Sequence, residues 1–148
     1  MNRRKEALKT YERGFNCSQS VLNAFKEEIS LDKNLLLKIA AGFGGGMRKG
    51  EVCGAVSGAI MVLGLKYGNS IEGDVETKEH IYSLTREFMK RFEEKNGSVV
   101  CKQLLGYDLS NPEEHEILKK NDTFKQKCPF FIEDAVDILE EILFRETH

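Results

Sequence analysis

The sequence has no surplus of charge of either sign, no long apolar segment and no closely spaced cysteines, and each absence excludes a class of function. Its 22 lysine and arginine residues nearly balance 24 aspartate and glutamate residues, which gives a formal net charge of −2. The two signs are interspersed, so no basic stripe indicates binding to nucleic acid or to anionic lipid. We therefore expect neither a nucleic-acid partner nor a lipid partner.

The apolar segments are too short for direct membrane insertion. The longest uncharged apolar stretch, Val52 to Leu65, falls short of the roughly 20 residues that span a bilayer and is interrupted by glycines. It predicts a buried helix. Residues 1–6 are charged and lack the apolar core of a secretory signal, so we expect a cytoplasmic location, where structural disulfides are rare.

Helical periodicity dominates the sequence, and strand alternation is hard to find. The pattern predicts an all-α fold, a compact multi-helix bundle of about seven to eight helices. Residues 1–148 contain no repeat or low-complexity linker and are expected to form one domain that buries its core without disulfides. Apolar residues predicted to face inward include a long-helix stripe and a third-helix set: Ile81, Leu84, Phe88 and Phe92, and Leu35, Leu36, Ile39, Ala40 and Phe43.

The four cysteines each fall where local sequence predicts the start of a helix. Asn16 and Gln19 form a capping-box pattern around Cys17. An apolar run after Gly50 places Cys53 about three residues into its helix.

The two C-terminal cysteines follow the same pattern. Ser98 is the expected cap of a short helix that holds Cys101 in its first turn and ends at Gly106. Cys128 precedes Pro129, and because proline favours the first helical position, Cys128 is the expected N-cap of the last helix.

This placement favours thiolate chemistry, because the thiolate is both the nucleophile and the metal ligand. Free N–H groups and dipoles at a helix N-terminus lower a thiol pKa, and nearby cations add to the effect. The candidate cations are Arg48, Lys49, Lys102 and Lys127. His80 and His115 lie among charged residues and are expected to be solvated rather than to act as ligands or bases.

Small residues follow Cys53. Gly54 and Gly58, with Ala55 and Ala59 beside them, form one smooth helical face. Two interpretations are compatible: another backbone packs closely on this face, or the face leaves room for a metal, a cofactor or a partner's sulfur. Gly54 and Gly58 are therefore candidate cofactor-binding residues.

The order of these motifs resembles that of a known family. The chain has Cys17, then Cys53-Gly54-Ala55-Val56-Ser57-Gly58, then Cys101 and Cys128. This arrangement is similar to the family of redox-active proteins named for its C, CGAxxG, C and C pattern, and the similarity covers nearly the whole chain. The resemblance implies redox activity through the cysteines and a genomic association with transporters, without implying a substrate.

Three functions remain open from the residues. Cys17, Cys53, Cys101 and Cys128 form the candidate catalytic set of a thiol-disulfide oxidoreductase, in which two sulfurs form a reversible disulfide. The same four sulfurs supply the usual ligand count for a metal or an iron–sulfur cluster, although no two lie two to four residues apart as in common sites. A helical adaptor associated with a transporter is the third interpretation, so a redox partner or a transporter component is the partner class considered.

Overall fold

Nine α-helices form the part of the chain that the computed structural model describes, residues 2–145. Seven of them have eight or more residues, and α3 and α7 are short. No β-strand occurs in residues 2–145, apart from an isolated bridge between Val52 and Val100, so the all-α prediction is confirmed. The helices are α1 (Arg3–Glu12), α2 (Cys17–Ala24), α3 (Lys26–Ile29), α4 (Lys33–Ala40), α5 (Gly54–Tyr67), α6 (Val75–Asn96), α7 (Cys101–Leu105), α8 (Pro112–Lys120) and α9 (Thr123–Arg145).

Short-range capping signals set several of these boundaries. The Asn16 and Gln19 side chains form the expected capping box at the start of α2. Asp32 accepts a hydrogen bond from the Leu35 N–H at α4, and Asn111 caps α8 with Pro112 in first position. These caps were predictable because each depends on residues within one turn of chain.

Helices α2 and α5 lie at the centre of the domain. α5 packs against α2, α6 and α9, and α2 also packs against α1 and α4. The predicted stripe of α6 is buried, and Phe88 and Phe92 are completely inaccessible to solvent. None of the helices described is both long and apolar enough to cross a membrane.

Glycines allow α5 to approach α2 at backbone distance. A Cβ atom on Gly58 would stand 2.6 Å from the Ser18 carbonyl oxygen, and one on Gly54 would stand 3.3 Å from the Cys17 Cβ. The close-packing interpretation of this small-residue face is therefore correct. Its consequence is that the N-terminal ends of α2 and α5 lie side by side.

Ion pairs fix α9 against α1 and α6. Arg4 of α1 pairs with Glu133 and, at 3.4 Å, with Asp137 of α9. Lys95 of α6 pairs with Asp134 at 3.5 Å. Exposed pairs of this kind contribute little stability individually, but together with the apolar contacts they define how α1 and α9 face each other.

The predicted start of the last helix is wrong. α9 begins at Thr123, so Cys128 and Pro129 lie inside it and Cys128 is not an N-cap. The chain leaves α8 through Asp122 in the left-handed conformation (φ 56°), and the Asp122 carbonyl already accepts from the Gln126 N–H at 3.2 Å. Pro129 removes one helical hydrogen bond in the second turn of α9, a cost that the packed helix tolerates.

The inward face predicted for α4 is also too wide. Leu36 and Ala40 are buried, whereas Leu35 and Ile39 are 47% and 50% exposed. α4 packs mainly against α2, so only a narrow stripe of it is covered.

Candidate redox site

All four cysteines line one cavity of about 880 Å³. Each sulfur-bearing residue is buried, with 4–7% of its surface exposed. They come from four helices that are distant in sequence: Cys17 from α2, Cys53 from the start of α5, Cys101 from α7 and Cys128 from α9. The free thiols lie close enough that a negative charge on Cys128 makes ionisation of the other three harder.

Cys17 and Cys53 lie side by side because of the close approach of α2 and α5. Cys17 is the first residue of α2, as predicted. Cys53 is the N-cap of α5 rather than a residue of its first turn, because residues 46–50 form a separate turn and the helix begins only at Gly54. Gly54 lines the cavity with the cysteines, whereas Gly58 lies against Ser18 and outside the lining.

Backbone hydrogen bonds place Cys101 beside Cys53. The Cys53 N–H donates to the Val99 carbonyl oxygen at 2.8 Å, and the Cys101 N–H donates to the Glu51 carbonyl oxygen at 2.6 Å. In this antiparallel pairing Cys53 and Cys101 project to the same face. The bridge thus fixes both cysteines to a rigid element of the cavity wall.

The helix start at Cys101 is confirmed, but its predicted cap is wrong. Val100 occupies the N-cap position, and the Ser98 hydroxyl instead accepts from the Val100 N–H at 2.9 Å. The bridge to Val52 extends the chain up to Val100, and this displaces the cap by two residues. Gly106 ends α7 in the left-handed conformation, as expected.

The thiols of Cys17 and Cys128 interact directly inside the cavity. A hydrogen bond from the Cys17 thiol lowers the pKa of Cys128, against the opposing effect of burial. The same interaction, together with burial, raises the pKa of Cys17. Cys128 is therefore the sulfur that ionises first, and Cys17 is the proton-bearing donor that stabilises its thiolate.

Tyr11 of α1 lies in the same cavity as the Cys17–Cys128 pair. Its hydroxyl donates to the Phe124 carbonyl oxygen at 3.1 Å. The same hydroxyl lies beside Cys128, and when it donates its single proton to the sulfur instead of to the carbonyl oxygen, it contributes to lowering the pKa of the Cys128 thiol. Burial raises the pKa of Tyr11 well above its ordinary range, so this group remains a donor at neutral pH.

The other two thiols are held in the protonated form. Burial raises the pKa of Cys53 to about 11, although the N–H groups of Ala55 and Val56 oppose the shift. Burial also raises the pKa of Cys101 to about 12. The expectation that helix starts lower all four pKa values is wrong, because desolvation of a buried thiolate outweighs the helix-terminus effect.

Only one of the four predicted cations lines the cavity. Arg48 does so, and its charge lowers the pKa of Cys101, though less than burial raises it. Lys49 and Lys102 are exposed outside the lining. Lys127 of α9 is not part of the cavity lining, and its ammonium donates to the Leu105 carbonyl oxygen at 3.3 Å.

Sequence reasoning missed two lining residues, Tyr11 and His115. Tyr11 lies on α1, and its contact with Cys128 spans 117 positions of sequence, for which no short-range signal exists. His115 was expected to be solvated; it is partly buried in the cavity wall.

The four cysteine sulfurs are also potential metal ligands. Four cysteine sulfurs suit zinc or an iron–sulfur cluster chemically. Within residues 2–145, however, no three side chains of cysteine, histidine, aspartate or glutamate converge in an arrangement that holds a metal ion.

Comparison with known proteins gives one match. The family model described as "Putative redox-active protein (C_GCAxxG_C_C)" matches residues 15–142, which include all four cysteines. In this chain the central motif has the order Cys53, Gly54, Ala55, with cysteine before glycine. Searches against curated proteins and against solved structures find no match.

Proposed function

Because this chain belongs to the redox-active C_GCAxxG_C_C family, we propose that it carries out thiol-disulfide exchange with Cys17 and Cys128 as its working dithiol. The observation that carries the proposal is the interaction of these two thiols, which favours the thiolate of one and the protonated form of the other. A dithiol needs this asymmetry, because one sulfur attacks as a thiolate while the other stays protonated until the resolving step.

The first step is attack by the Cys128 thiolate on one sulfur of a substrate disulfide. The Cys128 sulfur forms a new S–S bond, the substrate S–S bond breaks, and one substrate half leaves as a thiolate that takes up a proton. Hydrogen bonds from Cys17 and Tyr11 stabilise the attacking thiolate beforehand. The product is a mixed disulfide between Cys128 and the second substrate half.

In the second step Cys17 resolves the mixed disulfide. Once Cys128 is bonded to substrate it carries no charge, so the interaction that kept Cys17 protonated is lost and its pKa falls. The Cys17 thiolate then attacks the Cys128 sulfur, forms the Cys17–Cys128 disulfide and releases the second substrate thiol. Two electrons pass from the protein dithiol to the substrate disulfide, and an external thiol reductant returns them by the reverse exchange.

Cys53 and Cys101 take no part in this first exchange. Their raised pKa values, about 11 and about 12, keep them as thiols at neutral pH. A thiol that stays protonated is a poor nucleophile.

The test is oxidation of the reduced chain, purified without oxygen or chelator, by a limiting amount of the thiol oxidant diamide. Peptide mapping by mass spectrometry should find a Cys17–Cys128 crosslink. Cys17→Ser and Cys128→Ser should each abolish this crosslink, whereas Cys53→Ser and Cys101→Ser should retain it. Circular dichroism of each variant establishes that the helical fold is intact.

The same preparation distinguishes the other interpretations. Near-stoichiometric zinc or iron that is lost in the Cys→Ser variants would replace the dithiol proposal with a metal site. A folded, metal-free chain that forms no disulfide under any oxidant would contradict redox function and favour the adaptor interpretation.

A further inference from the structure

The cavity combines a buried sulfur floor with a charged rim. The working cysteines are only 6–7% exposed. Around them, exposed cations and acids line the opening: Arg48, Lys119 and Lys125, against Glu12 and Asp122. A disulfide on the surface of a folded protein cannot reach sulfurs at this depth, whereas a volume of about 880 Å³ accommodates a small molecule.

Arg48 is held at the rim by an unusual turn. Gly45, Gly46, Met47 and Arg48 all have positive φ angles, from 57° to 65°. For Met47 and Arg48 this conformation is unfavourable and requires support from the surrounding structure. The turn folds the Arg48 side chain back over Gly45, where an added Cβ would stand 2.6 Å from the guanidinium Nη1.

No protein group neutralises this guanidinium in the part of the chain that the structure describes. The ion pairs and side-chain hydrogen bonds of residues 2–145 do not include Arg48. Its charge acts instead on the cavity, where it favours an anion at Cys101. A planar guanidinium facing a partly apolar cavity is suited to bind a carboxylate through two parallel hydrogen bonds.

We propose that the cavity binds low-molecular-weight disulfides that bear a carboxylate, and that Arg48 is the residue that pairs with this carboxylate. This inference rests on the proposed dithiol function and names its substrate class. An anionic substrate that approaches the Cys128 thiolate meets like-charge repulsion, and a cation at the rim offsets it. Because Arg48 and the Cys17–Cys128 pair line the same cavity, the pairing holds the substrate in the cavity that contains the working dithiol.

The experiment uses three small disulfides of similar length that differ in charge: dithiodipropionate is anionic, hydroxyethyl disulfide is neutral and cystamine is cationic. The rate constant for oxidation of the reduced chain is measured with each at low ionic strength. Each value is divided by the rate constant for reduction of the same disulfide by dithiothreitol, which removes differences in intrinsic reactivity. We expect normalised rates in the order anionic, neutral, cationic.

The preference for dithiodipropionate over hydroxyethyl disulfide should be about 1.5- to fivefold, the range that exposed charge pairs give, and should fade at high salt. Arg48→Gln should abolish it, and Arg48→Lys should retain part of it because the charge remains without the planar fork. Lys49→Gln makes the same charge change at an exposed neighbour outside the cavity and should leave the preference unchanged.

The outcomes separate the two proposals. If the wild-type dithiol reacts with none of the three disulfides, the proposed function itself is overturned. If it reacts with all three at equal normalised rates, or if Lys49→Gln lowers the preference as much as Arg48→Gln, thiol-disulfide exchange stands and the role of Arg48 is overturned.

Discussion

Gly58 of α5 lies so close to Ser18 of α2 that a Cβ atom at position 58 would stand 2.6 Å from the Ser18 carbonyl oxygen. No such separation occurs between a real Cβ and a backbone oxygen. The contact sets the distance between two helices that start at Cys17 and just after Cys53. The glycine therefore acts on the site through helix packing rather than by touching the cavity.

Gly58→Ala should lower the free energy of unfolding by about 1–3 kcal/mol, because the added methyl group forces the α2 and α5 backbones apart. Urea denaturation under reducing conditions measures the change. Gly64→Ala in the same helix is the control, since no atom lies within 4 Å of its Cβ position. The free energy of unfolding of that variant should rise by about 0.5–1 kcal/mol, because alanine has the higher helix propensity. Equal changes in the free energy of unfolding at both positions would contradict the packing role of Gly58.

Cys17→Ala should raise the pKa of Cys128. The Cys17 thiol donates to the Cys128 thiolate, so its removal disfavours the ionised form. The midpoint of the pH profile for alkylation of Cys128 by iodoacetamide should move upward by about one to two pH units, the size of a lost hydrogen bond to a charged group. Mass spectrometry identifies the alkylated residue. Cys53→Ala should move this midpoint little, because Cys53 is uncharged in the relevant range; equal shifts in both variants would argue against the Cys17–Cys128 pair.

Raising the pH should destabilise the protein through its buried thiols. The folded-state pKa of Cys53 is about 11, above the ordinary 9.0, so folding favours the protonated form. Its contribution to stability is complete below pH 9 and is lost as the pH rises toward 11. Two units of pKa correspond to about 2–3 kcal/mol. Under reducing conditions, the free energy of unfolding of the wild type should therefore fall by about 2–3 kcal/mol more than that of Cys53→Ala as the pH rises from 9 to 11. Parallel curves of stability against pH would show that Cys53 has no raised pKa.

Local sequence signals predicted the features that depend on neighbouring residues. The capping box at Asn16 and the glycine end of α7 each involve a few consecutive positions, and both are present. The start of α9 was wrong because Pro129 is also compatible with a helix interior near its first turns, and tertiary packing decided between the two. The Ser98 cap was wrong because the bridge between Val52 and Val100 involves residues far apart in sequence.

The sequence by itself determined the all-α fold, the membership of a four-cysteine family and the identity of the sulfurs, since periodicity and motif order are written in the chain. Only the tertiary structure decided which sulfur ionises. Cys53 and Cys101 lie at helix starts, yet burial raises their pKa values, whereas Cys128 lies inside a helix and has a lowered pKa. The reason is physical: the charge of a thiolate depends on solvent exposure and on donors such as Cys17 and Tyr11, which folding brings to Cys128 from distant parts of the chain.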